Sequence, residues 1–572
     1  MSSLVQDHGS TLNSPKAFVD VEVQEATDSD SDLSETASVP GAPVEKTNPL
    51  GREVTLTSAV MLNLGQLLGS GIFSVPGVIL NSVGSVGLLL AFWIIAPIFA
   101  FVALFVYTEL ASMFPHRAGA EVVFLEQAYP RPRFLVPVAF AVTSVLTSFS
   151  ATNSVVFAQY VLSLFDIPVT EYRQTTIAIV MVTFCVGGHG YSYQTVVGIS
   201  TKLSLRAVNF LTAFKVASLA FVTVTGLAVL TGFTHISDPF ANFHHLWHGS
   251  RTNPNALATA LVKTNFAFVG WSNAFNVLNE VKGANPVRTV RNAGIVSLAI
   301  VTVLFFLTNV AYVAAVPVEE IKGSGQLVAA LFFKRVYGDH WASKILPIMV
   351  AFSCVGNVIA VTVGQARVLR EVARQGLLPY PKIFASTKPF GTPLAPVTLK
   401  YVLTVLVILA LPAKDAFNFL LDLASYPNLA RIRSPSLRSK LSVLTSRAHV
   451  LTDLCGLAPS PFKVWNIAVV LWVIKCLFLL IMPWVPPDKG QADVSFWYAT
   501  YCVVGLGVLA VCGLYYYLWI VLLPRWGGYE IVEEIVELDD GARATHLIKK
   551  PVASSVQTHS PEREPLLESS GS

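Results

Sequence analysis

One hydrophobic run near the amino terminus is long enough to cross a bilayer, yet it contains residues that a plain membrane anchor does not need. The stretch Leu64–Val78 reads Leu-Gly-Gln-Leu-Leu-Gly-Ser-Gly-Ile-Phe-Ser-Val-Pro-Gly-Val. Glycine loosens a helix and lets other groups approach the backbone, and proline removes a hydrogen-bond donor. Because lipid-exposed backbone cannot leave its polar groups unpaired, a broken helix implies a cavity that is lined by protein or filled with water. The run therefore predicts half of a binding site at mid-membrane depth, at Gly69-Ser70-Gly71.

The composition indicates a protein that crosses the membrane many times. Hydrophobic residues make up 53% of the 572-residue chain and charged residues only 13%, with a mean hydropathy of +0.59. Soluble domains carry about 25% charged residues, so a soluble class is excluded. Eleven apolar runs have bilayer length. They are 55–80, 85–110, 134–165, 174–197, 206–231, 256–281, 292–316, 340–369, 394–411, 464–485 and 496–523.

The two ends of the chain are predicted to be polar tails. Residues 1–52 are low in complexity and bury too little apolar surface to offset the entropy of ordering, so they are predicted to be disordered. Residues 53–523 form the predicted membrane domain, and 524–572 form a carboxyl-terminal tail. Lysine and arginine concentrate in alternate loops, which predicts a cytoplasmic amino terminus. The tails offer candidate modification sites, so a ubiquitin-ligase adaptor is a candidate partner.

A second interruption is predicted in the sixth apolar run. Gly270 lies near the middle of this run, between the aromatic residues Phe268 and Trp271. A single glycine suits a close helix contact as well as a break. The first and sixth runs, however, hold corresponding positions in two halves of five runs each. Matched interruptions of this kind indicate the binding site of a transporter.

Two facing helix breaks would suit a zwitterion. The amide end of a broken helix attracts a carboxylate, and free carbonyls across the gap attract an ammonium group. The predicted carboxylate ligands are the amides of Ser70, Gly71 and Ile72. The predicted ammonium ligands are carbonyls near Leu67, Leu68 and 266–268. The predicted walls of the side-chain pocket are Phe266, Phe268 and Trp271.

Both interruptions lie in motifs that form an ordered set along the chain. The first run contains Gly69-Ser-Gly-Ile-Phe73, and the sixth contains Phe266-Ala-Phe-Val-Gly-Trp271. Tyr107-Thr-Glu-Leu-Ala-Ser-Met-Phe-Pro115 spans the end of the second run, and Gly527-Gly-Tyr-Glu-Ile-Val-Glu-Glu534 lies near the start of the tail. The set resembles the amino acid–polyamine–organocation superfamily. Within its L-type amino acid transporter branch, it is similar to the fungal high-affinity methionine permeases.

The resemblance implies both a fold and an activity. The fold would be an all-α polytopic membrane protein, a five-plus-five inverted repeat with two extra helices and twelve spans. The activity would be import of methionine or another neutral amino acid by proton symport at the plasma membrane, through alternating access around the two broken helices. Val269 stands where many relatives have a second glycine, which narrows the pocket or shifts its selectivity. The substrate-binding residues implied are Gly69, Ser70, Gly71, Ile72, Phe266, Ala267, Phe268, Gly270 and Trp271.

Lys215 needs an explanation because it lies well inside the fifth apolar run. An ammonium group at membrane depth costs several kcal/mol unless it is solvated, paired or deprotonated. In the superfamily, a lysine in this helix takes the place of a sodium ion beside the first helix. One hypothesis is therefore proton coupling through Lys215. The other is a permanently charged strut against carbonyls of the broken helix.

The remaining polar residues do not form an enzyme site. No nucleophile–base pair, phosphate-binding loop or metal-ligand spacing stands out, so no cofactor, no metal and no covalent chemistry are expected. Besides substrate and proton, the expected partner is membrane lipid, and nucleic acid is not. Glu280, Lys282 and Arg288 are predicted to form a charge network at the cytoplasmic end of the sixth run.

The tenth helix of the family pattern, which would lie between the runs 394–411 and 464–485, has no apolar counterpart after Pro427 in this chain. Five lysine or arginine residues and Pro435 occur within 428–447, and each such cation costs about 2.5–3.5 kcal/mol at a helix centre. No window here would cross a bilayer. For 428–460 the alternatives are a gene-model error, a real alternative form, and a cytoplasmic amphipathic segment. A sensor that binds without transporting, and a non-functional form lacking the tenth helix, are the alternatives for function.

Overall fold

The structure is a computed structural model that describes residues 51–551 with several gaps. The predictions for residues 1–50, for 428–460 and for 552–572 lie outside the described residues. The gaps are 114–118, 129–131, 133, 147–149, 187–200, 339–340, 379, 389–390, 411–416, 424–461, 489–493, 495–496 and 538–542.

Helices form nearly all of the described membrane domain. Their apolar runs supply the buried surface, and their backbone groups bond within each helix, as a membrane span requires. The first half contains α1 (Leu56–Leu67), α2 (Gly71–Val83), α3 (Val86–Met113), α4 (Glu121–Ala128), α5 (Leu135–Leu146), α6 (Ala151–Leu164), α7 (Glu171–Val186) and α8 (Thr201–Leu230).

The second half begins with another interrupted helix. The 3₁₀ helices are Ala241–Phe243, Asn273–Glu280 and Met482–Trp484, and Tyr517–Leu522 is a π-helix. The α-helices are α9 (Pro254–Ala267), α10 (Pro286–Ala315), α11 (Val318–Gly323), α12 (Val328–Tyr337), α13 (Trp341–Arg374), α14 (Pro381–Ala385), α15 (Leu394–Ala410), α16 (Asn466–Ile481), α17 (Thr500–Tyr516) and α18 (Leu523–Gly527).

Eight helical stretches among the described residues are long and apolar enough to cross a membrane, against eleven predicted runs. The difference has local causes. The fourth run is α7, and its second part falls in the gap 187–200. The sixth run is divided between α9 and the 3₁₀ helix Asn273–Glu280, and α15 is an apolar helix of 17 residues. Residues 417–423, which precede the atypical segment 428–460, are helical.

The first and sixth runs lie antiparallel to each other. At one end, the amide of Val54 donates to Glu280 O at 3.0 Å, and the amide of Lys282 donates to Val54 O at 2.9 Å. At the other end, the amide of Arg251 donates to Val83 O at 2.8 Å. Two inverted halves would place their first helices in this way. The complete five-plus-five repeat stays a prediction.

Apolar side chains lie both inside and outside the helical bundle. Trp93 is fully buried, and its ring centroid lies 5.9 Å from that of Phe268 and 5.6 Å from that of Phe305. Ile98 and Phe210, in contrast, are exposed on the outside of the bundle. A surface of this kind suits a multi-pass protein whose outer face contacts lipid rather than water.

A β-hairpin follows the last helix. Strands β1 (Tyr529–Glu537) and β2 (Arg543–Pro551) pair antiparallel. Thr545 is buried, and its carbonyl lies so near Gly376 that a Cβ there would come within 2.8 Å of it. The hairpin therefore packs against the end of α13. It is the described exception to the all-α prediction, which holds for the membrane domain.

Candidate functional site

The first break separates α1 from α2 by three residues. α1 ends at Leu67 and α2 begins at Gly71. Asn153 of α6 fills the gap: its Oδ1 accepts from the amide of Ser70 at 3.0 Å, and its Nδ2 donates to Asn357 Oδ1 at 2.9 Å. One of the three predicted carboxylate ligands, the Ser70 amide, is thus bound by a side chain in this structure.

Side chains of α8 and α13 satisfy the carbonyl end of α1. A helix leaves its last carbonyls without intrahelical partners, and its dipole favours a cation there. Lys215 is buried beside this end, well inside α8. The three donors are Lys215 Nζ to Gly65 O at 2.7 Å, Asn357 Nδ2 to Gln66 O at 2.5 Å, and Ser353 Oγ to Leu68 O at 2.9 Å. Of the predicted ammonium ligands, Leu68 O therefore already accepts one hydrogen bond.

The second break follows α9, which ends at Ala267. The amide of Val269 donates to Phe266 O at 3.0 Å, which turns the chain away from the helix axis. Gly270 then adopts a φ of +136°, a conformation that residues with a Cβ rarely reach. An added Cβ at Gly270 would also lie only 2.8 Å from the amide nitrogen of Leu67. Glycine is required here for both its conformation and its size.

The two breaks touch each other. A Cβ added to Gly71 would lie 3.0 Å from the Cα of Ala267, so the start of α2 packs directly on the end of α9. Gly270 contacts α1 at Gln66 and Leu67 in the same way. Residues some 200 positions apart in the chain therefore come into contact at the two breaks.

A cavity of about 340 Å³ adjoins the second break. The predicted substrate residues divide into two groups around it. Those that line it are Phe266, Phe268, Gly270 and Trp271. Those that are buried and do not line it are Gly69, Ser70, Gly71, Ile72 and Ala267. Polar lining residues that the sequence did not single out for this role are Gln66, Tyr107, Glu121, Ser144, Asn265, Ser272, Asn276, Gln365 and Lys475.

Two buried hydroxyl groups at the first break have no hydrogen-bond partner within the described residues. They are Ser70 Oγ and Ser74 Oγ. Leaving a buried polar atom unsatisfied costs about 1–3 kcal/mol, and native structures rarely do so without a ligand, water or functional reason. The region of the predicted carboxylate site therefore contains polar atoms that can still accept a ligand or a water molecule.

Several helices contact one another closely on the side of the breaks opposite to the cavity. The Tyr160 hydroxyl lies 3.2 Å from Phe73 O and 3.0 Å from Gln326 O, and so connects α6, α2 and the loop before α12. Gly77 of α2 packs so closely on the end of α11 that an added Cβ would lie 2.5 Å from Ser324 Oγ. The cavity instead extends toward Tyr107 and Glu121, whose side chains are hydrogen-bonded to each other.

A buried ion pair beside the second break was missed by the sequence analysis. Lys263 lies one turn before Phe266 on α9, and its Nζ is 3.4 Å from Oδ2 of Asp422. The side chains of Lys263 and Asp422 are 0% and 6% exposed. Nearby, the rings of Phe266 and Phe417 are 6.5 Å apart in an edge contact. The lysine is visible as a charge in an apolar run, but nothing in the sequence identifies its partner.

The predicted charge network of Glu280 with Lys282 and Arg288 is wrong in its pairing. Glu280 is buried and accepts from Arg367 Nε at 3.0 Å. Lys282 instead lies 3.5 Å from Glu53, in an exposed pair. Burial explains the difference, because an enclosed carboxylate needs an equally enclosed cation, and the fork of Arg367 reaches both oxygens of Glu280. Within the described residues, no group of three or more His, Cys, Asp or Glu is placed to hold a metal ion.

The chain is similar in sequence to several known proteins. The family model described as amino acid permease matches residues 54–509. The high-affinity methionine permease of Saccharomyces cerevisiae is 31% identical over 492 residues, which cover 86% of this chain and 83% of that protein. The low-affinity methionine permease of the same yeast is 29% identical, over 96% of this chain and all of that protein. The human cystine/glutamate transporter is 28% identical, over 83% of this chain and 87% of that protein.

Proposed function

Since this chain belongs to the amino acid permease family, we propose that it is a secondary active transporter that imports methionine or a similar neutral amino acid. Family membership supports amino acid transport, and the two yeast relatives support methionine as the substrate. The observation that carries the proposal within this chain is the contact of two broken helices, at Gly71 with Ala267 and at Gly270 with Leu67.

The substrate carboxylate binds at the start of α2. The first amides of a helix lack intrahelical partners and carry the positive end of its dipole, so those of Gly71 and Ile72 are the ligands. The Ser70 hydroxyl, which is buried and has no partner among the described residues, adds a third donor. The apolar side chain of the substrate lies toward Phe266 and Trp271, at the rim of the cavity.

Transport proceeds by alternating access at the plasma membrane, with the amino terminus in the cytoplasm. The lysine and arginine distribution assigns the Tyr107 end of the bundle to the cytoplasm. In that orientation the hydrogen bonds of Tyr160 close the path from the helix breaks to the outside. The cavity lies on the path from the breaks to the cytoplasm, the inner path. The imported proton resides at Lys215, whose ammonium group bonds directly to the broken helix α1.

Uptake measurements test this function. Expressed in cells that lack methionine uptake, the full chain is expected to accumulate radiolabelled L-methionine saturably, with faster uptake at lower external pH. A competition panel of unlabelled amino acids measures the selectivity. If L-methionine stabilises the purified protein against heat but no amino acid is taken up, the chain is a sensor, and the transport proposal fails.

Replacing Gly71 by alanine is expected to lower uptake about tenfold or more. The added methyl group would lie 3.0 Å from the Cα of Ala267, which is backbone and cannot turn away, so the two helix ends must shift apart by a few tenths of an ångström. Uptake at saturating and at low substrate should be measured at equal surface expression. The matched control is Gly507→Ala in α17, where an added Cβ meets nothing within 4 Å. Equal uptake by the two variants would contradict the proposed site.

A further inference from the structure

Lys475 is a charged residue at membrane depth that the proposed mechanism does not use. It lies near the middle of α16 (Asn466–Ile481), is half-buried, and lines the cavity. Its Nζ lies 5.6 Å from the ring centroid of Phe99 on α3. Within the described residues it forms no ion pair. An ionisable side chain at this depth indicates a functional group by default, because placing it there is costly.

Charge is distributed unevenly within the cavity. Lys475 and Glu121 are the two charged residues among those that line it. Glu121 already accepts a hydrogen bond from the hydroxyl of Tyr107. Tyr107 follows Phe99 by eight residues on α3, about 12 Å along the helix, so the cation and the acid lie at different depths. Among the described lining residues, the part of the cavity nearer the helix breaks therefore presents an ammonium group and aromatic walls, and the carboxylate of Glu121 lies nearer the cytoplasmic end.

We propose that Lys475 is a second binding residue for the substrate, which receives the α-carboxylate after the amino acid has left the helix breaks toward the cytoplasm. The inference rests on the proposed function, because a neutral amino acid has a single negative group, its α-carboxylate. An ammonium–carboxylate hydrogen bond is stronger in a partly enclosed cavity than in water.

The surroundings of Lys475 fit a transient binding site better than a tight one. Phe99 supports the ammonium group through its ring face, a contact that leaves the N–H donors free to bind an anion. The aromatic side chains of Phe266 and Trp271 extend from the helix break into the same cavity. The apolar side chain of the substrate can therefore stay in contact with rings while its carboxylate moves from the amides of α2 to Lys475.

Kinetics measured separately on the two faces test the proposal. Right-side-out plasma-membrane vesicles with the full chain are loaded with graded L-methionine, and exchange with external radiolabelled L-methionine is followed. The external half-saturating concentration is measured in a second series. For Lys475→Gln, the half-saturating concentration of internal L-methionine is expected to rise about tenfold. The half-saturating concentration of external L-methionine should stay within twofold of wild type. Lys475→Arg, which retains the charge, should resemble wild type.

Two outcomes would overturn the role of Lys475. An unchanged internal constant in Lys475→Gln would show that the charge does not bind substrate, and parallel rises on both faces would assign the residue to the central site or to stability. If wild-type vesicles exchange no amino acid at all, the proposed function fails instead, so the two failures are distinguishable.

The wild-type protein provides a test that does not depend on folding of the Gln variant. Internal 4-(methylthio)butanoate, which has the carboxylate and side chain of methionine without the amine, should compete with internal L-methionine. Internal 3-(methylthio)propylamine, which has the amine without the carboxylate, should compete at least tenfold less well. If the amine competes better than the carboxylate, a cationic binding site on the inner path is contradicted.

Discussion

Uptake by the Lys215→Ala variant is expected to lose its dependence on external pH, while exchange of internal for external substrate persists. Lys215 is buried, and its Nζ bonds to Gly65 O at 2.7 Å, at the carbonyl end of α1. A proton that binds there adds a positive charge where the dipole of α1 favours one, so it stabilises the substrate-binding arrangement of the break. Removing a hydrogen bond to a charged group costs about 1.5–3 kcal/mol. Uptake against a concentration gradient should therefore fall by about tenfold or more.

The alternative role of Lys215 gives a different profile against pH. A permanent cationic strut would make the variant slower at every pH, with the ratio between pH 5 and pH 7 unchanged. The control is Lys344→Ala, because Lys344 is half exposed and pairs only loosely with Asp166 at 3.7 Å. Initial rates of L-methionine uptake and of exchange, each from pH 4.5 to 7.5, separate the two roles. An unaltered pH ratio in Lys215→Ala would reject proton coupling through this residue.

The Lys263→Met variant is expected to be strongly destabilised, and a second substitution at Asp422 should recover part of the loss. The two side chains are almost fully enclosed and lie 3.4 Å apart. Removing one member of a buried ion pair leaves the other charge in a low-dielectric environment, which costs about 3–5 kcal/mol. Replacing both with apolar residues removes that penalty, so Lys263→Met with Asp422→Leu should have a Tm above either single variant.

The comparison pair for this test is Lys282 with Glu53. Their separation of 3.5 Å is nearly the same, but the side chains are 54% and 31% exposed. Water screens such a pair, so Lys282→Met should lower stability by about 1 kcal/mol or less. Thermal melts of the purified proteins, with and without L-methionine, provide the measurement. If Lys263→Met and Lys282→Met lower the Tm equally, burial of the Lys263 pair contributes nothing.

The Lys263–Asp422 pair also bears on the atypical tenth span. Residues 417–423 are helical, and Asp422 and Phe417 attach this short piece to α9 beside the second break. The basic segment that follows begins only six residues after Asp422. The three alternatives for 428–460 therefore differ in what lies beyond this attachment, and sequencing the transcript across codons 425–465 distinguishes the gene-model error from the others.

Several errors of the sequence analysis share one origin. Arg367 was not connected with Glu280, and Asp422 was not connected with Lys263, although all four residues are visible as charges. The contact of Asn153 with the amide of Ser70 was not foreseen either. In each case the two partners lie 83 or more residues apart, and a hydrophobicity pattern contains no information on which faces of distant helices meet.

The sequence by itself determined the class of the protein, the approximate position of most membrane helices, and the two places where helices break. These properties follow from local chemistry: an apolar run of bilayer length must be helical, and glycines such as Gly71 and Gly270 permit the interruption. The tertiary structure alone decided that Ala267 touches Gly71, that Lys215 reaches Gly65, and that Lys475 enters the cavity. Such contacts depend on how helices rotate and cross, and that geometry results from packing over the whole bundle at once.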